Sequence, residues 1–226
     1  MKLVLFDCDG TLVDSQHVIV ASMEDAFRAE GLASPERLSI LGVVGLSLDI
    51  AVARLVPPES DPDRVWRLAE AYKASFGARR RRFDHAEPLY DGIRTTLETL
   101  AAHPGVQLGI ATGKSRRGVD ALLAREGLAD MFVTVQTADT NPSKPHPSMV
   151  LTAMEETGIG PDDTVMIGDT SYDIEMAAAA GVCPIGVSWG YHPADALHAA
   201  GAAAVVADTR ELETALDAVF TIRRTA

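Results

Sequence analysis

The chain has 226 residues, of which 47% are hydrophobic, and a formal net charge of −12 at pH 7. This length allows one large or two modest domains, and the apolar fraction is ample for a buried core. The acidic balance argues against a nucleic-acid partner, and no apolar run approaches the length of a membrane span. We therefore expect the protein to bind neither nucleic acid nor a membrane.

The first predicted element is a short buried strand that ends in two aspartates. Residues 2–6 form an apolar run typical of parallel strands, and Asp7, Asp9 and Gly10 follow. Acid groups placed there lie at the carboxyl edge of the sheet, where open α/β folds bind ligands. Carboxylates this close are tolerated mainly when a cation neutralises them or one stays protonated. We expect Asp7 to be a nucleophile, because aspartate can form an acyl phosphate, and Asp9 to deliver and remove a proton.

Residues 15–85 have a helical hydrophobic pattern, with breaks predicted near 42–45 and 57–58. The segment is neutral, since its acidic and basic residues are equal in number, so the remainder carries the whole charge of −12. Four consecutive arginines, 79–82, stand near its end. Because no aromatic residues interleave with them, we interpret this run as the solvated end of a long helix.

From residue 86 the pattern alternates between strand and helix. Strands are predicted at 106–112, 132–136, 164–168, 183–188 and 203–207, and helices at 91–103, 115–127, 147–157, 171–181 and 209–220. Such alternation is typical of a parallel sheet with right-handed crossovers. We therefore predict an α/β fold with a doubly wound, mainly parallel, Rossmann-like core formed by residues 1–14 plus 86–226. An all-helical domain, residues 15–85, is inserted after the first strand.

Three further segments place chemically useful side chains at strand ends or in a fixed loop. Thr112 and Gly113 end the second strand and can offer a hydroxyl and backbone N–H groups to a phosphoryl oxygen. Lys144 lies between two prolines, which keep its backbone out of a helix. Asp169 ends another strand, and Asp173 follows four residues later. A nucleophile, a hydroxyl, a cation and a metal-binding carboxylate are the components of phosphoryl transfer.

Together these segments resemble the four motifs of the haloacid dehalogenase-like hydrolase superfamily, in its phosphoglycolate phosphatase-like branch with a helical cap. The first motif is similar to residues 7–15, and the other three match Thr112, Lys144, and Gly168-Asp169 with Asp173. The resemblance implies a Mg²⁺ ion held by Asp7, the backbone carbonyl of Asp9 and Asp169, with Asp173 as a ligand or a support.

The resemblance also implies a function. It predicts a Mg²⁺-dependent phosphatase that hydrolyses a small phosphorylated metabolite through an aspartyl-phosphate, with phosphoglycolate as the best single choice. It assigns the insert to the cap and residues 42–48 to a loop that faces the substrate. The phosphoryl oxygens are expected to contact Thr112 and Lys144, with support from Gly10, Thr11 and Gly113.

Other reactions on the same scaffold fit less well. A halide-displacing enzyme needs neither a metal nor an acid at Asp9, and a phosphonate-cleaving enzyme needs a cap lysine, for which Lys73 is poorly placed. A sugar-phosphate mutase would want a cation after Ser47, where Leu48 stands. The mutase remains an alternative, as does a catalytically silent phosphate-binding module.

The remaining expectations concern compartment, assembly and two unassigned side chains. Cys8 and Cys183 are the only cysteines, which suits a reducing compartment and predicts a cytoplasmic protein. The assembly is expected to be a monomer or a homodimer. We interpret Cys8 as a small residue that fills the space between two functional aspartates, and His146 as an exposed loop residue.

Overall fold

The computed structural model of the chain describes residues 1–81 and 87–220. Its strands are β1 (Lys2–Phe6), β2 (Val106–Thr112), β3 (Phe132–Thr137), β4 (Thr164–Gly168), β5 (Cys183–Val187) and β6 (Ala204–Val206). Its α-helices are α1 (Gln16–Ala29), α2 (Arg37–Leu41), α3 (Leu48–Leu55), α4 (Pro62–Arg80), α5 (Ile93–Ala102), α6 (Arg116–Glu126), α7 (Ser148–Thr157), α8 (Ser171–Ala179), α9 (Ala194–Ala199) and α10 (Thr209–Phe220).

The six strands form one parallel sheet in the order β3-β2-β1-β4-β5-β6. The strand β1 lies in its interior, with Phe6 opposite Ile110 of β2 on one side and Ile167 of β4 on the other. The chain winds outward in one direction through β2 and β3 and in the opposite direction from β4 onward. A crevice therefore opens at the carboxyl ends of β1 and β4, which is where such sheets bind ligands. The predicted fold class is confirmed.

The apolar run of β1 is continuous because both faces of the sheet are covered. Val4 and Phe6 belong to the core on one face, and Leu3 and Leu5 to the core on the other. All four side chains are fully buried. A strand buried on both sides has no polar alternation, which explains why it was recognisable as parallel from its sequence.

Helices α1 to α4 occupy the segment between β1 and the rest of the sheet and have their own apolar cluster. It includes Met23 and Phe27 of α1 and Leu68 and Phe76 of α4. The helices are interrupted where glycines and prolines predicted breaks, at 42–47 and 56–61. The exact domain boundaries stay a prediction, and the second boundary, between residues 85 and 86, lies outside the described residues.

The arginine run is only partly as expected. Arg79 forms an ion pair with Asp25 at 2.6 Å, and Arg80 forms one with Glu87 at 3.0 Å. The side chain of Arg80 is only 18% exposed. The interpretation as a solvated helix end is therefore wrong for these two residues, because Asp25 and the buried Glu87 pair with them. Arg82 lies outside the described residues.

Two smaller differences come from local features. The pattern did not predict α9, because six residues are too few to show a helical period. The helix α7 begins at Ser148, with Pro147 as its N-terminal cap rather than its first residue.

Within the described ranges, none of the helices has both the length and the apolarity that a bilayer crossing demands.

Candidate active site

Three aspartates meet at the carboxyl edge of the sheet. Asp7 follows β1, Asp169 follows β4, and Asp173 lies in the first turn of α8. All three are buried, and each offers a carboxylate oxygen within 4.8 Å of the others. Such a concentration of negative charge is costly unless cations offset it. The arrangement therefore calls for a positive partner.

Lys144 is the cation that the structure places against this cluster. Its Nζ lies 2.6 Å from Asp173 Oδ1 and 3.0 Å from Asp7 Oδ1, and its side chain is fully buried. Burial alone would lower the pKa of Lys144, but Asp173 and Asp7 outweigh that effect and raise it. The lysine stays charged, and a single positive charge still leaves three carboxylates undercompensated.

Asp7 has the environment of a reactive and unsatisfied carboxylate. Burial raises the pKa of Asp7 from 3.8 to about 6, with Lys144 opposing the rise and Asp173 adding to it. Neither of its oxygens has a hydrogen bond with good geometry to any described residue. Oδ1 still has the ion pair with Lys144, but Oδ2 has no partner. Buried carboxylate oxygens are normally paired, so this carboxylate indicates a group that is completed by a ligand.

Asp169 and Asp173 are held differently. Asp169 accepts hydrogen bonds from Thr11 Oγ1 at 2.8 Å and from the Tyr191 amide at 2.9 Å. Burial, followed by Asp173 and Asp7, raises its pKa well above the usual value. Asp173 Oδ2 accepts from the amide and hydroxyl of Thr170 in a capping box, while Oδ1 accepts from Lys144. Both oxygens of each aspartate are thus in use, but Asp173 accepts from three donors, one of them a cation, and Asp169 from two neutral donors.

The donor set fits a hard divalent cation such as Mg²⁺. Its available atoms are carboxylate oxygens, and those of Asp7 have no partner among the described residues beyond the ion pair of Oδ1 with Lys144. Because Asp173 already caps α8 and binds Lys144, the geometry favours it as a support for the site over a direct ligand.

Thr112 and Gly113 lie where the second motif predicts them. Thr112 is buried at the end of β2, and its Oγ1 accepts from the Lys114 amide at 3.2 Å. The helix α6 begins behind it, capped by Ser115, whose side chain accepts from the Gly118 amide. A Cβ added to Gly113 would lie 2.5 Å from the Gly45 carbonyl oxygen. The loop at residues 42–47 therefore packs directly onto this motif.

Gly10 and Thr11 have other tasks than the predicted phosphate contacts. The Gly10 amide donates to the Val13 carbonyl at 2.9 Å, and the Thr11 amide donates to the Cys8 carbonyl at 3.2 Å. The hydroxyl of Thr11 donates to Asp169. A role for these two residues in phosphate binding stays a prediction that the geometry does not favour.

Asp9 is engaged by residues that the sequence reasoning missed. Its Oδ1 accepts from Ser15 Oγ at 2.6 Å and from Lys114 Nζ at 2.7 Å. Lys114 also donates to Glu87 Oε1 at 2.8 Å. The position of Lys114 directly after Thr112-Gly113 was the signal that could have drawn attention to it; nothing in the sequence marks Glu87.

A second missed element is the loop after β5. Trp189 Nε1 donates to the Thr11 carbonyl, and the Tyr191 hydroxyl lies 2.9 Å from Ser15 Oγ. A Cβ on Gly190 would lie 2.2 Å from the Cβ of Asp169. This loop therefore contacts both the loop after β1 and Asp169 of the aspartate cluster.

A cavity of about 1230 Å³ opens between the helical insert and the sheet edge. Core residues Asp7, Asp9 and Thr112 line one side, and Leu46 and Phe76 of the insert line the other. The loop 42–48, expected to face the substrate, contributes to this wall. The aspartates of the sheet edge and residues of the helical insert thus line one cavity.

Cys8 and His146 have the environments expected of them. Cys8 is buried in the core, and burial, together with Asp7 and Asp9, raises its pKa. A thiolate is therefore disfavoured, and Cys8 forms no disulfide. His146 is exposed in its loop, and its Nδ1 accepts from the Ser148 amide.

Comparison with known proteins decides the family. A family model described as haloacid dehalogenase-like hydrolase matches residues 4–187. The chain belongs to the haloacid dehalogenase-like hydrolase family. The predicted enzyme class is confirmed at this level, because hydrolases of this family named as phosphatases match nearly the whole chain.

Two curated relatives and one solved structure illustrate the similarity. "Probable phosphatase IndB" of Dickeya dadantii (strain 3937) is 36% identical over 221 residues, covering 96% of this chain and 94% of that protein. "Phosphoglycolate phosphatase" of Vibrio vulnificus (strain YJ016) is 30% identical, covering 88% and 89%. The crystal structure of a predicted phosphatase from Clostridium acetobutylicum has a TM-score of 0.84 at 28% identity, covering 95% and 97%. These relatives support the phosphoglycolate phosphatase-like branch of the family.

Proposed function

We propose that this protein is a Mg²⁺-dependent phosphatase that hydrolyses a small phosphate monoester through an aspartyl-phosphate on Asp7. The observation that carries the proposal is the state of Asp7. Its carboxylate is buried at the crevice of the sheet and lines the cavity; among the described residues Oδ1 has only the ion pair with Lys144 at 3.0 Å, and Oδ2 has no partner. A nucleophile needs a free electron pair, and Oδ2 can supply one.

We assign a residue to nucleophilic attack, to proton transfer and to binding of the phosphoryl oxygens. Asp7 attacks phosphorus, and Asp9 protonates the leaving alkoxide and then, as a carboxylate, takes a proton from the attacking water. Lys144 and Thr112 bind the phosphoryl oxygens, and the amides at the start of α6 add partial positive charge. These groups are fixed before the substrate arrives, so little reorganisation is needed in the transition state.

Magnesium would be held by Asp7, the backbone carbonyl of Asp9 and Asp169, with Asp173 as a support. When bound, the ion offsets phosphoryl negative charge that Lys144 alone cannot balance. Lys144 in turn is oriented by Asp173, so the support acts on both cations of the site.

Phosphoglycolate is the first substrate to test, because it is named for the Vibrio vulnificus relative. The cavity of about 1230 Å³ has room for larger esters, so the panel should extend to sugar phosphates and aromatic phosphates. The helical insert, residues 15–85, would close over the bound ester and exclude water. A small phosphorylated metabolite as the partner, a cytoplasmic location, and a monomer or homodimer belong to the same proposal.

The test is a substrate panel with product analysis. Purified protein should release inorganic phosphate with Mg²⁺ and stop when EDTA is added, and kcat/KM should rank the esters. A mutase would convert a sugar phosphate to its isomer, need a bisphosphate as primer and release little phosphate. Phosphorus NMR distinguishes the two, and isomer without free phosphate would refute the phosphatase proposal. No turnover of any ester, with Mg²⁺ binding intact, would favour a silent module.

A further inference from the structure

Lys114 is a buried cation for which the mechanism above has no use. Its side chain is only 5% exposed, and Nζ lies 2.7 Å from Asp9 Oδ1 and 2.8 Å from Glu87 Oε1. It also lies 5.1 Å from the centre of the Phe76 ring. A lysine is rarely buried unless its ammonium is paired on several sides, as it is here. Such a costly arrangement beside the proposed proton carrier calls for an explanation.

The two donors on Asp9 converge on the same oxygen. Ser15 Oγ and Lys114 Nζ both donate to Oδ1, while Oδ2 receives no hydrogen bond from any residue within 1–81 or 87–220. An aspartate carboxylate rotates freely about its last torsion unless it is held. Two donors on Oδ1 restrict that rotation and leave Oδ2 as the oxygen without a donor in a residue that lines the cavity.

Glu87 anchors the other side of the lysine. Its side chain is fully buried, and besides Lys114 it pairs with Arg80 of α4 at 3.0 Å and with Arg125 of α6 at 3.7 Å. Cations from the insert and from the core thus fix one carboxylate, which in turn fixes Lys114. The ammonium cannot move from Asp9 without breaking this cluster.

We infer that Lys114 is a positioning residue that holds Asp9 Oδ1, so that Oδ2 carries the proton to and from the reacting oxygens, and that Glu87 holds Lys114 in place. The inference rests on the proposed phosphatase reaction. Proton transfer is sensitive to displacements of about 1 Å, which can cost on the order of 10²-fold in rate. Lys114 should therefore matter in proportion to how much the leaving group needs a proton.

The experiment compares Lys114→Met with wild type on an alkyl phosphate and on p-nitrophenyl phosphate. The rate of the first step, release of the alcohol or phenol, is measured in a single turnover. An alkoxide needs the proton and a nitrophenolate does not, so the variant should lose on the order of 10²-fold on the alkyl ester and less than about threefold on the aryl ester. The effect should fall on the rate constant and not on substrate binding.

Two further variants separate positioning from general damage. In an Asp9→Asn background, adding Lys114→Met should change the alkyl rate less than about twofold, because Lys114 acts through Asp9. Lys2→Met is the matched control: it removes a lysine–aspartate ion pair, with Asp163, near the opposite end of β1. Its alkyl-to-aryl ratio should equal that of wild type.

Several results would overturn the inference. Equal losses on both esters, or a full effect of Lys114→Met in the Asp9→Asn background, would show that Lys114 binds phosphate or merely supports the fold. Should Lys114→Met not fold, Glu87→Gln weakens the anchor and must lower the alkyl rate selectively. A wild type that hydrolyses no ester would refute the proposed function instead. Positioning is then decided by a crystal structure of Lys114→Met or Glu87→Gln, in which Asp9 must have rotated away from Ser15 Oγ.

Discussion

Gly10 and Asp169 approach so closely that no side chain fits between them. A Cβ on Gly10 would lie 2.1 Å from Asp169 Oδ2, and Gly10 has a φ of +87°, which other residues rarely adopt. The turn after β1 therefore depends on glycine for two separate reasons. One is its backbone conformation, and the other is the space required by a carboxylate at the neighbouring strand end.

Gly10→Ala should affect both the stability of the protein and its Mg²⁺ requirement, whereas backbone strain alone would affect only stability. We expect a loss of about 1–3 kcal/mol in unfolding free energy and a clear rise in the Mg²⁺ concentration for half-maximal rate, because the carboxylate of Asp169 must move. The control is Gly127→Ala, at φ +66° with nothing within 4 Å of the added Cβ. It should cost stability but leave the Mg²⁺ requirement unchanged, and a matching rise there would contradict the explanation.

Asp7→Asn should abolish turnover. A neutral amide cannot attack phosphorus, so activity on p-nitrophenyl phosphate should fall below a few per cent of wild type. Steady-state assays at saturating Mg²⁺ check this, and circular dichroism confirms that the variant is folded. Substantial residual activity would assign the nucleophile to another residue.

The same substitution should stabilise the metal-free protein at neutral pH. In the folded chain the pKa of Asp7 is about 6 against an ordinary 3.8, so between these values the folded state binds more protons than the unfolded state. The unfolding free energy then falls as pH rises from about 4 to 6, and stays lower above 6. Asp7→Asn has no such pH-dependent loss. Its unfolding free energy relative to wild type should therefore increase by about 2 kcal/mol as the pH rises from 4 to 7.

Urea denaturation in EDTA at several pH values measures this difference. The exposed residue Asp130 provides the control, since Asp130→Asn should leave the pH dependence of wild type unchanged. Added Mg²⁺ should stabilise wild type more than Asp7→Asn. Parallel stability curves for wild type and Asp7→Asn would rule out a raised pKa for Asp7.

Asp169→Ala and Asp173→Ala should fail in different ways. Loss of Asp169 removes a proposed metal ligand, so the Mg²⁺ concentration for half-maximal rate should rise strongly. Loss of Asp173 removes the third-position side chain of the capping box of α8 and a partner of Lys144. It should therefore cost about 1 kcal/mol in stability and lower kcat with a milder shift in the Mg²⁺ requirement. Titrations of rate against Mg²⁺, with thermal melts, distinguish them. The reverse order of the two Mg²⁺ shifts would exchange their roles.

Asp9→Asn should distinguish substrates by their leaving groups. General acid catalysis contributes roughly 10²–10⁴-fold, so formation of the aspartyl-phosphate from an alkyl phosphate should slow by about that factor. The same step with p-nitrophenyl phosphate should change little. Rapid-quench measurements of alcohol and nitrophenol release test this, and equal slowing of both would remove Asp9 as the proton donor.

The sequence was sufficient for the fold and for the groups at the sheet edge. The apolar run 2–6 predicted a doubly covered strand, and Asp7 and Asp169 each follow such a strand. In a parallel sheet all carboxyl ends lie on one edge. Asp7 and Asp169, far apart in the chain, could therefore be placed together from local patterns alone. The helical insert was visible for the same reason, because amphipathic periodicity is a local property.

Only the tertiary structure decided which of these groups are free and which are held. Asp7 has one oxygen without a partner, whereas Asp173 has both oxygens occupied. Asp9 is held by Lys114, which in turn pairs with the buried Glu87. These differences arise from burial and from contacts between distant segments, and neither leaves a periodic or compositional trace in the chain. The placement of these groups at one sheet edge was predictable because strand ends are local features. Their contacts were not predictable, because they depend on the packing of the folded chain.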